Sequence, residues 1–197
     1  MKRLSTLAGL LLLFAFPGNI QAQKVKVTEG SIDAIKGETS INLEFTYDNM
    51  KVGKFDKEED YVSKKKEEYN KKEEGRGDKW AKEWVADRQE RFEPKFIELF
   101  TKYSNRTINK DAKYTIIFKT TFTEPGFYFG SSLIRKYAQI DGEAWIVETA
   151  NKSNVIAKIA VNDAPGRTFG GYDFDTGIRI TEAYAAAGKA LGKYLEK

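Results

Sequence analysis

Neither cysteine nor histidine occurs in the 197 residues. Without thiol or imidazole there can be no disulfide framework, no Cys/His metal site, no Ser-His-Asp triad and no cysteine nucleophile. Catalysis would have to run on carboxylates, Lys, Tyr, Ser or Thr, and no cofactor or metal motif is present. Long apolar runs are missing too. The longest, Leu7 to Phe16, is too short for a bilayer, which needs roughly 20 residues. A strong charge of one sign is also lacking. The formal net charge is +4, and two of the cations, Lys2 and Arg3, precede the apolar run, so the remainder carries +2. That balance gives no reason to expect a nucleic acid or an anionic lipid as partner.

What stands at the start reads as a secretory signal. Lys2 and Arg3 form a positive n-region, Leu7 to Phe16 the apolar core, and Pro17-Gly18 break it before Ile20-Gln21-Ala22. Cleavage is expected after Ala22, giving a periplasmic or secreted protein that begins at Gln23 and has no membrane span. Residues 23–197 suffice for one domain, held by its own core.

The mature chain organises itself around its C-terminal third. Ile180, Tyr184, Ala187, Leu191 and Tyr194 recur at helical steps of three and four, a stripe that has to bury on a flat apolar surface. Gly188 and Gly192, one turn apart, are expected to let this helix lie close on a sheet, in return for the roughly 1 kcal/mol that glycine costs in a helix. Ala138 to Thr149 and Asn154 to Val161 read as the strands beneath, joined by a turn at Asn151-Lys152-Ser153-Asn154. A long loop, Asn162 to Asp175, leads into the helix.

Earlier in the chain, Val25 and Val27 alternate with lysines, and Gly30 to Gly37 reads as a turn-bounded second piece of strand. Ile41, Leu43, Phe45 and Tyr47 alternate with Asn42, Glu44, Thr46 and Asp48, the pattern of a half-buried strand. Phe55 to Glu74 is a Lys/Glu-rich helix with a thin apolar face, Phe55, Tyr61, Val62 and Tyr69. Its Lys64-Lys65-Lys66 run is neutralised by neighbouring glutamates and reads as a solvated face. After Gly75-Arg76-Gly77 a second helix carries Trp80, Trp84, Phe92, Phe96, Phe100 and Tyr103, and Pro94 predicts a kink or restart near Glu93. Tyr114, Ile116, Phe118 and Phe122 predict the inner face of a further strand. The order β, β, α, α, β, β, β, α, in blocks, predicts an α+β fold: a mixed or antiparallel sheet, a helical-pair insertion at 54–104, and a C-terminal helix packed on the sheet.

Four features are candidates for chemistry. Phe127, Tyr128 and Phe129 are consecutive between glycines, and successive side chains of an extended segment point to opposite faces, so at least one is difficult to bury. With Arg135 nearby they form a candidate contact surface, the alternative being an aromatic loop folded on the sheet edge. Trp80 and Trp84 serve either as core or as a stacking surface. Gly166 to Gly171 before a helix resembles an anion-binding turn, but Asp173 and Asp175 oppose an anion there and suit helix capping better. The pairs Asp141/Glu143 and Asp173/Asp175 are the residues a carboxylate-dependent hydrolase would use.

The segments Thr120-Thr-Phe-Thr-Glu-Pro-Gly-Phe, Asp173-Phe-Asp-Thr-Gly-Ile-Arg-Ile-Thr-Glu-Ala-Tyr and Gly188-Lys-Ala-Leu-Gly-Lys, with Glu58-Glu-Asp-Tyr and Gly77-Asp-Lys-Trp, resemble a group of uncharacterised exported proteins of gut and oral Bacteroidota. More weakly, the strand pair, Gly-rich loop and Ala-rich helix are similar to envelope domains such as those of the curli secretion-channel subunit and the TolB N-terminal region. The resemblance implies location and architecture, and it attaches no activity to any residue. Curli-type channel proteins are anchored through an acylated cysteine, which this chain lacks. The sequence thus reads as a non-enzymatic binding or assembly module with an envelope protein partner. A soluble carrier of an apolar or aromatic small molecule, bound against Trp80 and Trp84, is the alternative, and the carboxylate-dependent hydrolase is the third reading.

Overall fold

A computed structural model describes residues 23–128, 135–167 and 175–196; the expected leader lies outside them. The strands β1 (Lys24–Gly30), β2 (Ser40–Thr46), β3 (Lys51–Val52), β4 (Thr107–Ile108) and β5 (Tyr114–Glu124) are followed by the two-residue β6 (Phe127–Tyr128) and β7 (Arg135–Lys136), then β8 (Ala138–Glu148) and β9 (Asn151–Gly166). The helices are α1 (Glu58–Asn70), α2 (Arg76–Asp87), α3 (Glu93–Ser104) and α4 (Thr176–Glu196). The main sheet runs β1-β9-β8-β5-β2-β4, with β3 also on β5. It is mixed: β1, β9, β8 and β5 are mutually antiparallel, whereas β2 and β3 lie parallel to β5. A parallel pair requires a long crossover, and the three helices between β3 and β5 supply it.

Strand alternation builds the inner face. Ile41 and Leu43, then Tyr114, Ile116 and Phe118, then Ile140, Ala144 and Ile146, and Ala157, Ile159 and Val161 are buried against α3 and α4. Phe96 packs on Phe118 at 4.6 Å between centroids, and Phe92 stacks flat on Tyr184 at 5.1 Å. Phe122 departs from the expected pattern. Thr120 keeps the inward phase of Phe118, but a bulge between Thr120 and Phe122 shifts the phase of β5 beyond it, so Thr123 turns inward and Phe122 moves to the half-exposed side. Gly142 faces this bulge because a Cβ there would stand 2.6 Å from the Phe118 ring.

Four other expectations are corrected. Gly30 to Gly37 contains a 3-10 turn, Ile32–Ile35, capped by the Ser31 hydroxyl, and not a strand. The β8–β9 turn falls at Thr149 and Ala150. Asn151 to Asn154 are the exposed start of β9, where the Asn151 side-chain Oδ1 accepts from Ser153 N. The same strand continues to Gly166, so Asn162 to Gly166, read as the start of a loop, are strand. Finally, Gly188 and Gly192 face α3, not the sheet: a Cβ at Gly188 would lie 2.3 Å from the Phe96 carbonyl oxygen, and one at Gly192 2.8 Å from that of Phe100. The restart near Pro94 is present. A wide π turn, Arg88–Phe92, precedes α3 and places the proline in its first turn, where the missing N–H is tolerated.

Inside this core Thr120 Oγ1 and the Tyr184 hydroxyl share a hydrogen bond of 2.7 Å. Burial pushes the Tyr184 phenol above its ordinary range, so it stays protonated and serves as a structural link between β5 and α4. Tyr184→Phe is expected to lower stability by about 1–2 kcal/mol, since it strands a buried hydroxyl. Urea unfolding of residues 23–197 measures it.

Candidate functional site

The turn after β3 starts the site. Val52 and Phe55 exchange backbone hydrogen bonds of 2.9 and 3.0 Å across a tight corner, which lifts Phe55 against Tyr61 of α1, ring to ring at 5.8 Å. Tyr61 and Tyr69, two turns apart on α1, both contact Trp80 of α2, at 5.9 and 5.6 Å. The two helices can approach this closely because Gly77 has no side chain: a Cβ would sit 2.0 Å from the Lys66 carbonyl. The thin apolar face of the Lys/Glu-rich helix is therefore spent on the aromatic face of α2.

The opposite wall is the corner Glu124-Pro125-Gly126 at the end of β5. The Glu124 carboxylate accepts from Gly126 N at 3.0 Å and binds the Lys136 ammonium. From the first turn of α4 the Arg179 side chain, only 3% exposed, donates to the carbonyls of Pro125 and Gly126 at 3.2 and 3.3 Å. Gly126 has φ +66°, and a Cβ would meet the Lys136 carbonyl at 2.4 Å, so glycine is required at this corner. Phe127 follows directly, 43% exposed.

Between the two walls runs an open groove of about 550 Å³, lined by Phe55, Tyr61, Tyr69, Trp80 and Phe127 with Lys54, Lys65, Lys136, Arg179 and one carboxylate, Glu124. Trp80 and Phe127, separate candidates in the sequence, are thus brought together. Trp84 is not part of this groove. It is 6% exposed, packed against Tyr61 at 5.2 Å, and its Nε1 donates to Glu58 Oε1 at 2.6 Å. Glu58 also takes the Arg88 guanidinium, tying α1 to the π turn. Tyr128 lies opposite Arg135 in the β6–β7 ribbon; its side chain and Phe129 lie outside the described residues. Arg135, like Lys136, is exposed in that ribbon.

The Tyr69–Trp80 pair also borders two further clefts, of about 600 and 540 Å³. In the second, Asp87 and Asp175 are bridged by Arg91 at 3.0 and 3.2 Å, and burial pushes the Asp87 carboxyl up against the pull of that arginine. Asp175 Oδ1 caps α4, accepting from Gly177 N at 2.7 Å. Asp173 and the part of the glycine-rich turn from Thr168 to Gly171 fall outside the described residues. Of the other proposed pair, Asp141 accepts from Asp163 N at 2.7 Å and Glu143 from Trp145 Nε1 at 2.9 Å, both on the outer face of the sheet. Compared with protein-family models, curated proteins and solved structures, the chain matches none. Its chemistry is therefore read from this geometry.

Sequence reasoning did not single out Tyr61, Tyr69 and Phe55 as groove residues, because their spacing only suggested a thin helix face. The signal lay in their pairing with Trp80, which requires α1 and α2 to be antiparallel neighbours. Trp145 was also missed. It stands on the outer face with Lys119 and Lys158 at 3.3 and 4.7 Å from its ring.

Proposed function

We propose that the protein is a non-enzymatic binding module of the cell envelope, and that its groove receives a segment of a protein partner bearing an aromatic or large apolar side chain beside acidic residues. The observation that carries this is the composition of the groove: five aromatic rings from separate parts of the chain, with four cations against one carboxylate. Aromatic anchors in concave surfaces supply most of the energy in protein recognition, and complementary charge sets partner choice. The clefts that continue past Tyr69 and Trp80 offer more concave surface than a small ligand needs. The signal-like leader and the resemblance to exported Bacteroidota proteins support the envelope location.

One observation favours the carrier as a second reading: about 550 Å³ falls within the 300–1,000 Å³ of small-molecule pockets. The two separate in one experiment. Residues 23–197 and a Trp80→Ala/Phe127→Ala variant of matched thermal stability are used to recover partners from native envelope extract. The partner's affinity is expected to fall about thirtyfold, as for loss of a hot-spot aromatic worth ~2 kcal/mol. A partner held equally by the variant would refute the groove as its site. Stabilisation by aromatic small molecules in a thermal-shift screen, with no protein recovered, would replace the module with the carrier.

A further inference from the structure

The register of β8 and β9 brings two arginines onto one exposed ring. Ala138 lies opposite Gly166 and is fully buried on the helix side. Alternation therefore puts the next pair, Tyr137 and Arg167, on the outer face, with Arg135 two residues before on the same side. The Arg135 guanidinium lies 4.6 Å and that of Arg167 5.5 Å from the Tyr137 ring centroid, and Tyr137 is 37% exposed.

What sets this pair apart is its lack of a counter-charge among the described residues. Arg76, Arg88 and Arg91 are paired with carboxylates, while Arg106 and Arg179 donate to backbone carbonyls. Among the described residues Arg135 and Arg167 have no ion-pair partner. Both are held at the ring by its quadrupole, although their like charges repel. Of the acidic side chains at this end of the sheet, Asp141 and Asp163 are engaged by the Gln139 amide at 3.4 and 3.1 Å, and Glu124, opposite Gln139 in β5, binds Lys136. Two planar guanidinium forks within 5.5 Å of one exposed ring, without an ion-pair partner among the described residues, offer the paired donors that a carboxylate takes.

We propose that Arg135, Tyr137 and Arg167 seat an acidic side chain of the partner segment, at a point just beyond the groove. This rests on the reading of the groove as a protein-binding site. The link between the two is β7: its Lys136 faces the groove, while Arg135 faces the opposite side of the same two-residue strand. A segment leaving the groove across the β6–β7 ribbon meets the arginine pair next.

The test follows the arginine side-chain Nε–H signals of ¹⁵N-labelled residues 23–197 by NMR as hexaglutamate is added. The signals of Arg135 and Arg167 are expected to move together, less at about 0.15 M salt than at low salt because both groups are exposed. Arg135→Gln/Arg167→Gln is expected to weaken hexaglutamate binding about tenfold or more, and the double lysine variant to recover little of it, since charge without the fork does not suffice. Unmoved signals, or equal binding by the glutamine variant, would overturn the proposal. Displacement of hexaglutamate by an equal concentration of inorganic phosphate would overturn the assignment to a peptide in favour of a free anion. Trp80→Ala leaves this seat intact. Partner recovery that survives Trp80→Ala but falls in the glutamine variant would refute the groove reading alone, and the reverse pattern would refute the arginine seat alone.

Discussion

Gly188→Ala destabilises the protein by about 2–3 kcal/mol, although helix propensity alone favours alanine over glycine by about 1 kcal/mol. The sign is decided by what the new methyl meets. It would stand 2.3 Å from the Phe96 carbonyl oxygen and 3.0 Å from its carbon, which are backbone atoms of α3 and cannot rotate away. Relief requires α4 to move off α3, and both helices hold fully buried side chains at that seam, Phe96 and Phe100 on one, Tyr184 and Leu191 on the other. Gly192→Ala is expected to cost less, because its nearest atom, the Phe100 carbonyl oxygen, is 2.8 Å away and smaller shifts suffice. Urea unfolding of both variants beside Ala190→Gly, a half-buried helix position outside the seam, separates contact from propensity. A neutral or stabilising Gly188→Ala would mean that the helices part without cost.

The same glycines show which parts of the fold a sequence can carry. Their spacing on an Ala-rich helix revealed a close approach, but whether the partner was sheet or helix depended on where α3 ends up, a tertiary outcome that no local pattern encodes. Strand alternation placed Ile41, Leu43, Tyr114, Ile116 and Phe118 inside, since side-chain direction in a strand is a property of the backbone itself. It failed at Phe122, where one extra residue in β5 inverted the phase. Pro94 was informative because its missing N–H is a local fact. The groove was legible only as fragments: Trp80 and Phe127 stood out as large rings without an obvious place, whereas Tyr61, Tyr69 and Arg179 acquire their positions from the packing of α1 on α2 and of α4 on the β5 corner. The arginine pair on Tyr137 depends on strand register, and it could not be read before β8 and β9 were aligned.

Arg106→Met is expected to cost about 2–4 kcal/mol, and the balance behind that figure is a contest between two large terms. The guanidinium is 7% exposed, its Nε has no hydrogen-bond partner among the described residues, and no described carboxylate lies within ion-pair distance, so burial depresses its pKa from the ordinary arginine value. Removing such a charge recovers desolvation energy, and a methionine of similar length would fill much of the space. Against this, the two terminal nitrogens donate to three carbonyls: Ser104 at 3.2 Å, Leu195 at 3.1 Å and Ile35 at 3.2 Å. Two of these carbonyls belong to the last turns of α3 and α4, where unsatisfied oxygens and the helix dipoles both favour a cation. Each carbonyl left without a partner costs about 1–3 kcal/mol. Three such losses outweigh the recovered desolvation, because the charge already sits where two negative helix ends converge. Arg106→Lys keeps the charge but offers no planar fork to reach three acceptors, and it should fall between wild type and methionine. Midpoints of urea unfolding at constant m-value would rank the three proteins. A methionine variant within about 0.5 kcal/mol of wild type would show that the burial cost of the guanidinium cancels everything it holds together.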